Sequence, residues 1–168
     1  VLRAVQIAVD DGLAIPILVG RPAVIEANIK KLGLRLEDGV NITIVDQEKN
    51  PNYEMFADDY YNIMQRKGVT PEYAQREARR RSTLIAAMLV KHGMADGMLC
   101  GTYSSYDIHL DFVSNIIGKK DGHNTFFTLN ALMLEDRNLF IADTYVNTNP
   151  TAEQLAEMTI LAAEEVRR

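Results

Sequence analysis

The sequence predicts an α/β fold with a mostly parallel sheet and one antiparallel hairpin. Three observations carry that expectation. Short apolar, β-branched runs such as ILVG and NITIVD alternate with segments of helical periodicity, the pattern of a parallel sheet covered by helices. The stretch ADGMLCGTYSSYDIHLD, residues 95–111, reads as a buried strand, a polar loop and a helix start. Open α/β sheets bind ligands at such carboxyl ends of strands. Finally, TFFTLNALML and NLFIADT flank Glu135-Asp136-Arg137, which predicts two strands joined by a short turn.

In chain order, Val1, Leu2, Ala4, Val5, Ala8 and Val9 form the apolar stripe of a first helix, stopped at Gly12. Ile15 to Val19, closed by Gly20, is expected to be a buried parallel strand. RPAVIEANIKKLG gives a helix with Pro22 in its first turn, Gly33 at its stop, and Val24, Ile25, Ile29 and Leu32 inward. Asn41 to Asp46 is a second strand, and Asn50-Pro51 a turn. Tyr53, Phe56, Tyr60, Tyr61 and Met64 recur at helical spacing up to Lys67, which marks them as core rather than a ligand-stacking stripe. Gly68 stops that helix, and Thr70-Pro71 starts another, TPEYAQREARRR.

Its Arg76, Arg79, Arg80 and Arg81 admit two readings. They are a solvated face beside Glu72 and Glu77, or an anion site, because arginine forks pair well with phosphate. Ser82 caps a helix from Thr83 to Lys91 whose run LIAAMLV is apolar nearly all round and therefore buried. Lys91 and His92 suit its C-terminus, so His92 reads as a cap rather than a ligand. Met98, Leu99 and Cys100 are the expected buried strand, which makes Cys100 an inert core thiol. After the polar loop a helix capped by Ser105 or Asp107 continues through Phe112, Val113, Ile116 and Ile117 to Gly118. The last helix takes Asn149 as N-cap and Pro150 as its first residue, with Ala152, Leu155, Thr159, Ala162 and Val166 on one face. Val1 has no capping residue or initiator Met before it, and Arg167-Arg168 lacks a stop signal. A fragment of a longer polypeptide is expected, with a strand lost before residue 1.

Composition narrows the class. With 168 residues, 47% hydrophobic and 24% charged, the chain suits one globular domain. The net charge of -5 gives no basic face for nucleic acid, and no apolar run approaches a membrane span of about 20 residues. One cysteine fits a reducing compartment, so a cytoplasmic protein is expected. Walker, GxGxxG, HExxH and GxSxG motifs are missing, and His92, His109 and His123 lack metal-ligand spacing. The hydroxyls of Thr102, Tyr103, Ser104, Ser105 and Tyr106 suit a phosphate or carbonyl ligand, or simply a capped turn.

At ADGMLCGTYSSYDIHL and at LFIADTYVNTNPTAEQLAEMTILAAEEVRR the chain resembles the phosphate acetyltransferase/butyryltransferase family, over essentially all of its length. ILVGRP, EARRRSTLIAAMLVKHGMADGMLCGT and YDIHLDFVSNIIG are most similar to one branch, the C-terminal domain fused to bacterial NADP-dependent malic enzymes. The resemblance implies a two-lobed, three-layer αβα structure like isocitrate and isopropylmalate dehydrogenases. Coenzyme A and acyl phosphate would bind between lobes made largely of residues 1–92 and 93–168. It also implies that the family's later serine- and glycine-rich active-site loop lies outside this sequence.

Residue by residue, Ser104, Ser105 and Asp107 fit the family's Ser-Ser-x-Asp pattern, which transferases continue into Thr-Leu-Arg-Pro. Here Ile108, His109, Leu110 and Asp111 follow, so Leu110 stands where the substrate arginine belongs. A second substrate arginine corresponds to Met64, unless Arg66 takes its place. Losing a permanent cation removes an anion clamp and a transition-state stabiliser, and His109 restores only part of that charge near neutral pH. The implied ligand loop is Thr102, Tyr103, Ser104, Ser105, Asp107 and His109, with anion contacts from Arg66, Arg79 and Arg80. Neither a catalytic residue nor a metal site is expected in this domain.

The favoured expectation is a regulatory domain that binds acetyl-CoA and acts on a malic-enzyme part through homo-oligomer contacts. NADP and a divalent metal, Mg or Mn, would belong to that part alone. The rivals are a working phosphate acetyltransferase and a purely structural oligomerisation domain.

Overall fold

The computed structural model describes residues 1–167, which form two compact units, residues 1–118 and 119–167. The helices on either side of His92 share one apolar cluster.

In the first unit, α1 (Leu2–Asp10), β1 (Ile17–Gly20), α2 (Pro22–Leu32) and β2 (Thr43–Asp46) alternate as the sequence predicts. β1 and β2 pair in parallel, Ile17 opposite Thr43 through Gly20 opposite Asp46. Ile29, Leu36 and Ile42 are buried, with Leu2, Val5, Val9 and Ile25 packed against them. Val24 and Leu32, expected inward, stay largely exposed, because one face of α2 suffices to cover this small cluster. Gly33 ends α2 at φ 64°, a left-handed conformation that suits a residue without Cβ.

The larger core lies among helices. α3 (Tyr53–Met64) closes in a 3-10 turn, Gln65–Lys67, and α4 (Pro71–Arg80) follows a Thr70 cap whose hydroxyl accepts the Tyr73 N–H. α5 (Ser82–Lys91) and α6 (Tyr106–Phe112), which a π-helical turn extends to Ile117, complete it. Phe56, Leu84, Ile85 and Met88 are fully buried there, and Phe112 and Ile116 join them. The aromatic positions of α3 are thus core, as their spacing predicts. His92 is the C-cap of α5, its ring stacked on Phe56 and within 2.7 Å of an Asp59 carboxylate oxygen.

The second unit holds an antiparallel pair, β3 (Leu129–Met133) and β4 (Asn138–Ala142), then α7 (Ala152–Val166). The hairpin falls where Glu135-Asp136-Arg137 predicts it, but it is not part of the β1–β2 sheet. The strands form two separate pairs rather than one mostly parallel sheet. The N-cap of α7 is Thr151 rather than Asn149. Thr151 Oγ1 accepts the Gln154 N–H while Gln154 Oε1 accepts the Thr151 N–H, a reciprocal pair that Asn149 lacks a partner to make.

One predicted strand is missing. Met98 to Cys100 runs without a ladder, and Leu99 is fully exposed. An apolar run becomes a strand only where a neighbouring strand accepts its hydrogen bonds, and none of the described strands pairs with it. Cys100 is accordingly exposed rather than a core thiol.

Candidate functional site

The polar loop is present even though the strand before it is not. Gly101 turns at φ 102°, and Ser104 sits at φ 77°, a left-handed conformation that costs a residue with a Cβ. Ser105 occupies the N-cap position of α6 but makes no side-chain capping hydrogen bond, so its hydroxyl is not consumed by a cap. Thr102, Tyr103, Ser104, Ser105 and Asp107 are all exposed.

His109 is placed differently from its neighbours. Its Nε2 lies 2.5 Å from the Tyr103 carbonyl oxygen and its Nδ1 2.8 Å from the hydroxyl of Thr83, a buried residue of α5. A carbonyl can only accept, so Nε2 carries the hydrogen. In the neutral ring Nδ1 then accepts from Thr83. The imidazole therefore ties loop, α6 and α5 together.

Beside it lies a cavity of about 250 Å³ lined by Cys100, Gly101, Tyr106, His109, Leu110 and Val113. Of the implied ligand loop and anion contacts, His109 alone lines it; the hydroxyl loop adjoins it through Gly101. Tyr106, one of the expected ligand-facing hydroxyls, lines it as well, whereas Cys100 and Val113 carry no sequence signal for it, since an apolar run and a helix interior read as core. Partial desolvation pushes the Cys100 thiol above its ordinary value, which disfavours the reactive thiolate.

The arginines lie elsewhere on the first unit. Arg79 stacks over the Tyr53 ring at 4.2 Å, Arg76 over Tyr73 at 4.9 Å, and Arg81 pairs with Glu77 at 2.7 Å. Glu77 is buried, and this pairing raises the Arg81 pKa. Arg66, in the turn after α3, and Arg80, at the end of α4, are exposed. None of Arg66, Arg79 and Arg80 lines the cavity. Among the described residues no cluster of His, Cys, Asp and Glu is arranged to hold a metal ion.

In the second unit two carboxylates organise the loops. Asp143 accepts from the N–H and hydroxyl of Thr128 (3.0 and 2.9 Å) and from the N–H and side-chain amide of Asn147 (2.7 and 2.6 Å). Burial pushes its pKa up, but these hydrogen bonds outweigh burial and hold it well below the usual carboxylate range. Glu157 on α7 accepts from the Thr125 hydroxyl and the Asn124 N–H, which lower its pKa, and lies 3.2 Å from His123 Nδ1. The family-like run after β4 thus folds around Asp143.

The family described as "Phosphate acetyl/butaryl transferase" matches residues 1–168. The chain belongs to this family. It is 51% identical over 167 residues to the NADP-dependent malic enzyme of Haemophilus influenzae and 50% identical over 168 residues to that of Escherichia coli. The matches cover 99% and 100% of this chain but 22% of each relative, so the chain spans about a fifth of the malic enzymes it matches. Among solved structures, a phosphotransacetylase from Streptococcus pyogenes superposes with a TM-score of 0.89 at 27% identity, covering 99% of this chain and 50% of that one. The fold is therefore an α/β phosphotransacetylase-like fold with one parallel and one antiparallel strand pair. No helix among the described residues is long and apolar enough to cross a membrane.

Proposed function

We propose that this chain is a regulatory domain that binds acetyl-CoA and reports its presence to a malic-enzyme catalytic part. One observation carries the reading: Leu110 lines the cavity beside the hydroxyl loop, and no lysine or arginine among the described residues does. Phosphoryl and acyl transfer both need charge stabilised in the transition state, and here only His109, which is not a permanent cation, is placed to supply it. The aliphatic wall at Leu110 suits the acetyl and pantetheine carbons of a coenzyme A derivative, while Thr102, Ser104, Ser105 and Asp107 offer polar contacts. Arg66, Arg79 and Arg80 are the candidate contacts for its phosphates. The identity to malic enzymes supports the parent activity, NADP-dependent oxidative decarboxylation of malate to pyruvate with Mg or Mn, carried by another part of the protein.

Such coupling is reciprocal: malate-site ligands must change acetyl-CoA affinity by the factor that acetyl-CoA changes theirs. Calorimetry on the intact protein, with and without malate, is expected to give saturable acetyl-CoA binding that shifts between the two conditions. Absence of binding overturns the reading. The Ser104, Ser105 and Asp107 pattern favours a second reading, a working phosphate acetyltransferase. Acetyl phosphate-dependent loss of the coenzyme A thiol at sustained turnover would establish it in place of the first.

The remaining features of this reading are a cytoplasmic location and a homo-oligomer. A homo-oligomer is supported by the exposed apolar side chains Met133, Phe140 and Ile141 of the hairpin. A purely structural oligomerisation domain would share the oligomer and ignore acetyl-CoA, so sedimentation paired with calorimetry separates the two. The three-layer αβα arrangement of isocitrate dehydrogenase type, with lobes meeting near His92, also belongs here. A crystal structure of the intact protein tests it.

A further inference from the structure

We propose that Thr83 is a positioning residue for the ligand loop, acting through His109. The inference rests on the acetyl-CoA reading for its ligand, but its geometry stands apart from it. The loop has little to hold it by packing, since the Tyr103 side chain is 87% exposed and Ser104 is exposed as well. It nevertheless adopts a left-handed turn at Ser104, which a non-glycine residue does not favour unaided. What fixes it is a main-chain bond, from His109 Nε2–H to the carbonyl of Tyr103, immediately before the strained residue.

That bond depends on how the ring is oriented, and Thr83 is the second anchor that sets the orientation. Its hydroxyl is buried on α5, inside the main core, and lies 2.8 Å from Nδ1. A buried hydroxyl is costly without a partner, so it is held to the ring at Nδ1 and fixes the plane and tilt of the imidazole. With the ring so oriented, Nε2–H points at the Tyr103 carbonyl, which can only accept. The relay runs from a rigid helix to an exposed loop through one imidazole. The loop so held begins at Gly101, which lines the cavity together with His109 and Leu110.

Thr83→Val keeps the shape of the side chain and removes the donor; Thr83→Ser keeps the donor. In the intact protein, Thr83→Val is expected to speed amide hydrogen exchange of residues 102–105 and weaken acetyl-CoA binding about five- to tenfold, the effect of losing roughly one hydrogen bond. Thr83→Ser is expected to keep both near wild type, which a purely volumetric role for Thr83 would not produce. Unchanged exchange in Thr83→Val, or failure of Thr83→Ser to preserve the protected loop, overturns the proposal. If Thr83→Val does not fold, His109→Phe removes both bonds from the partly exposed side, and unchanged loop exchange there overturns it equally. If wild-type protein binds no acetyl-CoA, the functional reading falls while loop exchange in the same variants still decides the relay.

Discussion

The two units of this chain are held by different physics. Residues 1–118 surround Phe56, Leu84, Ile85 and Met88 with four helices, and apolar burial dominates. Residues 119–167 bury one apolar side chain, Met158, below one-tenth exposure. Every residue of β4 is exposed, and order comes from carboxylates that collect hydrogen bonds, Asp143 between β4 and the following loop and Glu157 on α7. A core of the first kind tolerates changes of pH and fails when it loses volume. A polar framework of the second kind fails when an acceptor is protonated or removed. The candidate site lies in the first unit, where a rigid helix can impose geometry on a loop.

The largest effect should come from Phe56. Removing a fully buried phenylalanine costs about 3–5 kcal/mol, whereas Phe140→Ala in the exposed hairpin should cost well under ~1 kcal/mol. Urea titration of both variants in the intact protein measures the pair. Comparable losses would mean that the hairpin face is covered in the intact protein and that the contrast between units belongs to this chain alone.

Asp143 tests the other side of the comparison. Asp143→Ala strands the N–H groups of Thr128 and Asn147 and should cost about 1–2 kcal/mol, since half-buried donors left unpaired carry part of their desolvation penalty. The loss should register as faster hydrogen exchange in residues 125–147 with little change in α3–α5. The pH dependence has a definite sign. The folded carboxyl titrates below its unfolded value of about 3.9, so its contribution is present above that pH and fades as pH falls through the folded value. Glu157, also lowered, acts in the same direction. Acid below about pH 4 should therefore loosen the second unit before the first. Asp143→Asn should flatten that acid limb, and simultaneous loss of both units in acid would contradict the contrast.

What could be read from sequence follows the range of the interactions. The Thr70-Pro71 helix start, the Gly33 stop and the turn at Glu135 to Arg137 are encoded within a few residues, and all three form as expected. Met98 to Cys100 carries an equally strand-like signal, but a strand is a relation between segments and no described partner exists for this one. The candidate site shows the same limit. The hydroxyl loop is visible as composition, and the missing arginine at Leu110 is visible by family resemblance. The bond between Thr83 and His109 joins residues on different helices, and no local pattern announces it. Cys100 and Val113 come to the cavity for the same reason, through the packing of α6.

The smallest effect sharpens the comparison at the start of α7. Asn149 and Thr151 are both good capping residues by type, and Gln154, placed three residues after Thr151, selects between them. Thr151→Ala should cost about 1 kcal/mol, the usual worth of an N-cap, and Asn149→Ala close to nothing. Because α7 buries little apolar surface, lost capping cannot be absorbed by packing. The cost should show as fraying of the first turn, with faster exchange of the Gln154 amide, whose N–H the Thr151 hydroxyl accepts. The same substitution at Thr70, whose cap starts a helix with Ala74 and Ala78 buried in the main core, should cost a similar amount globally while leaving local exchange nearly unchanged. Equal fraying at both caps would show that α4 depends on its terminus as α7 does, and that apolar burial does not account for the firmness of the first unit.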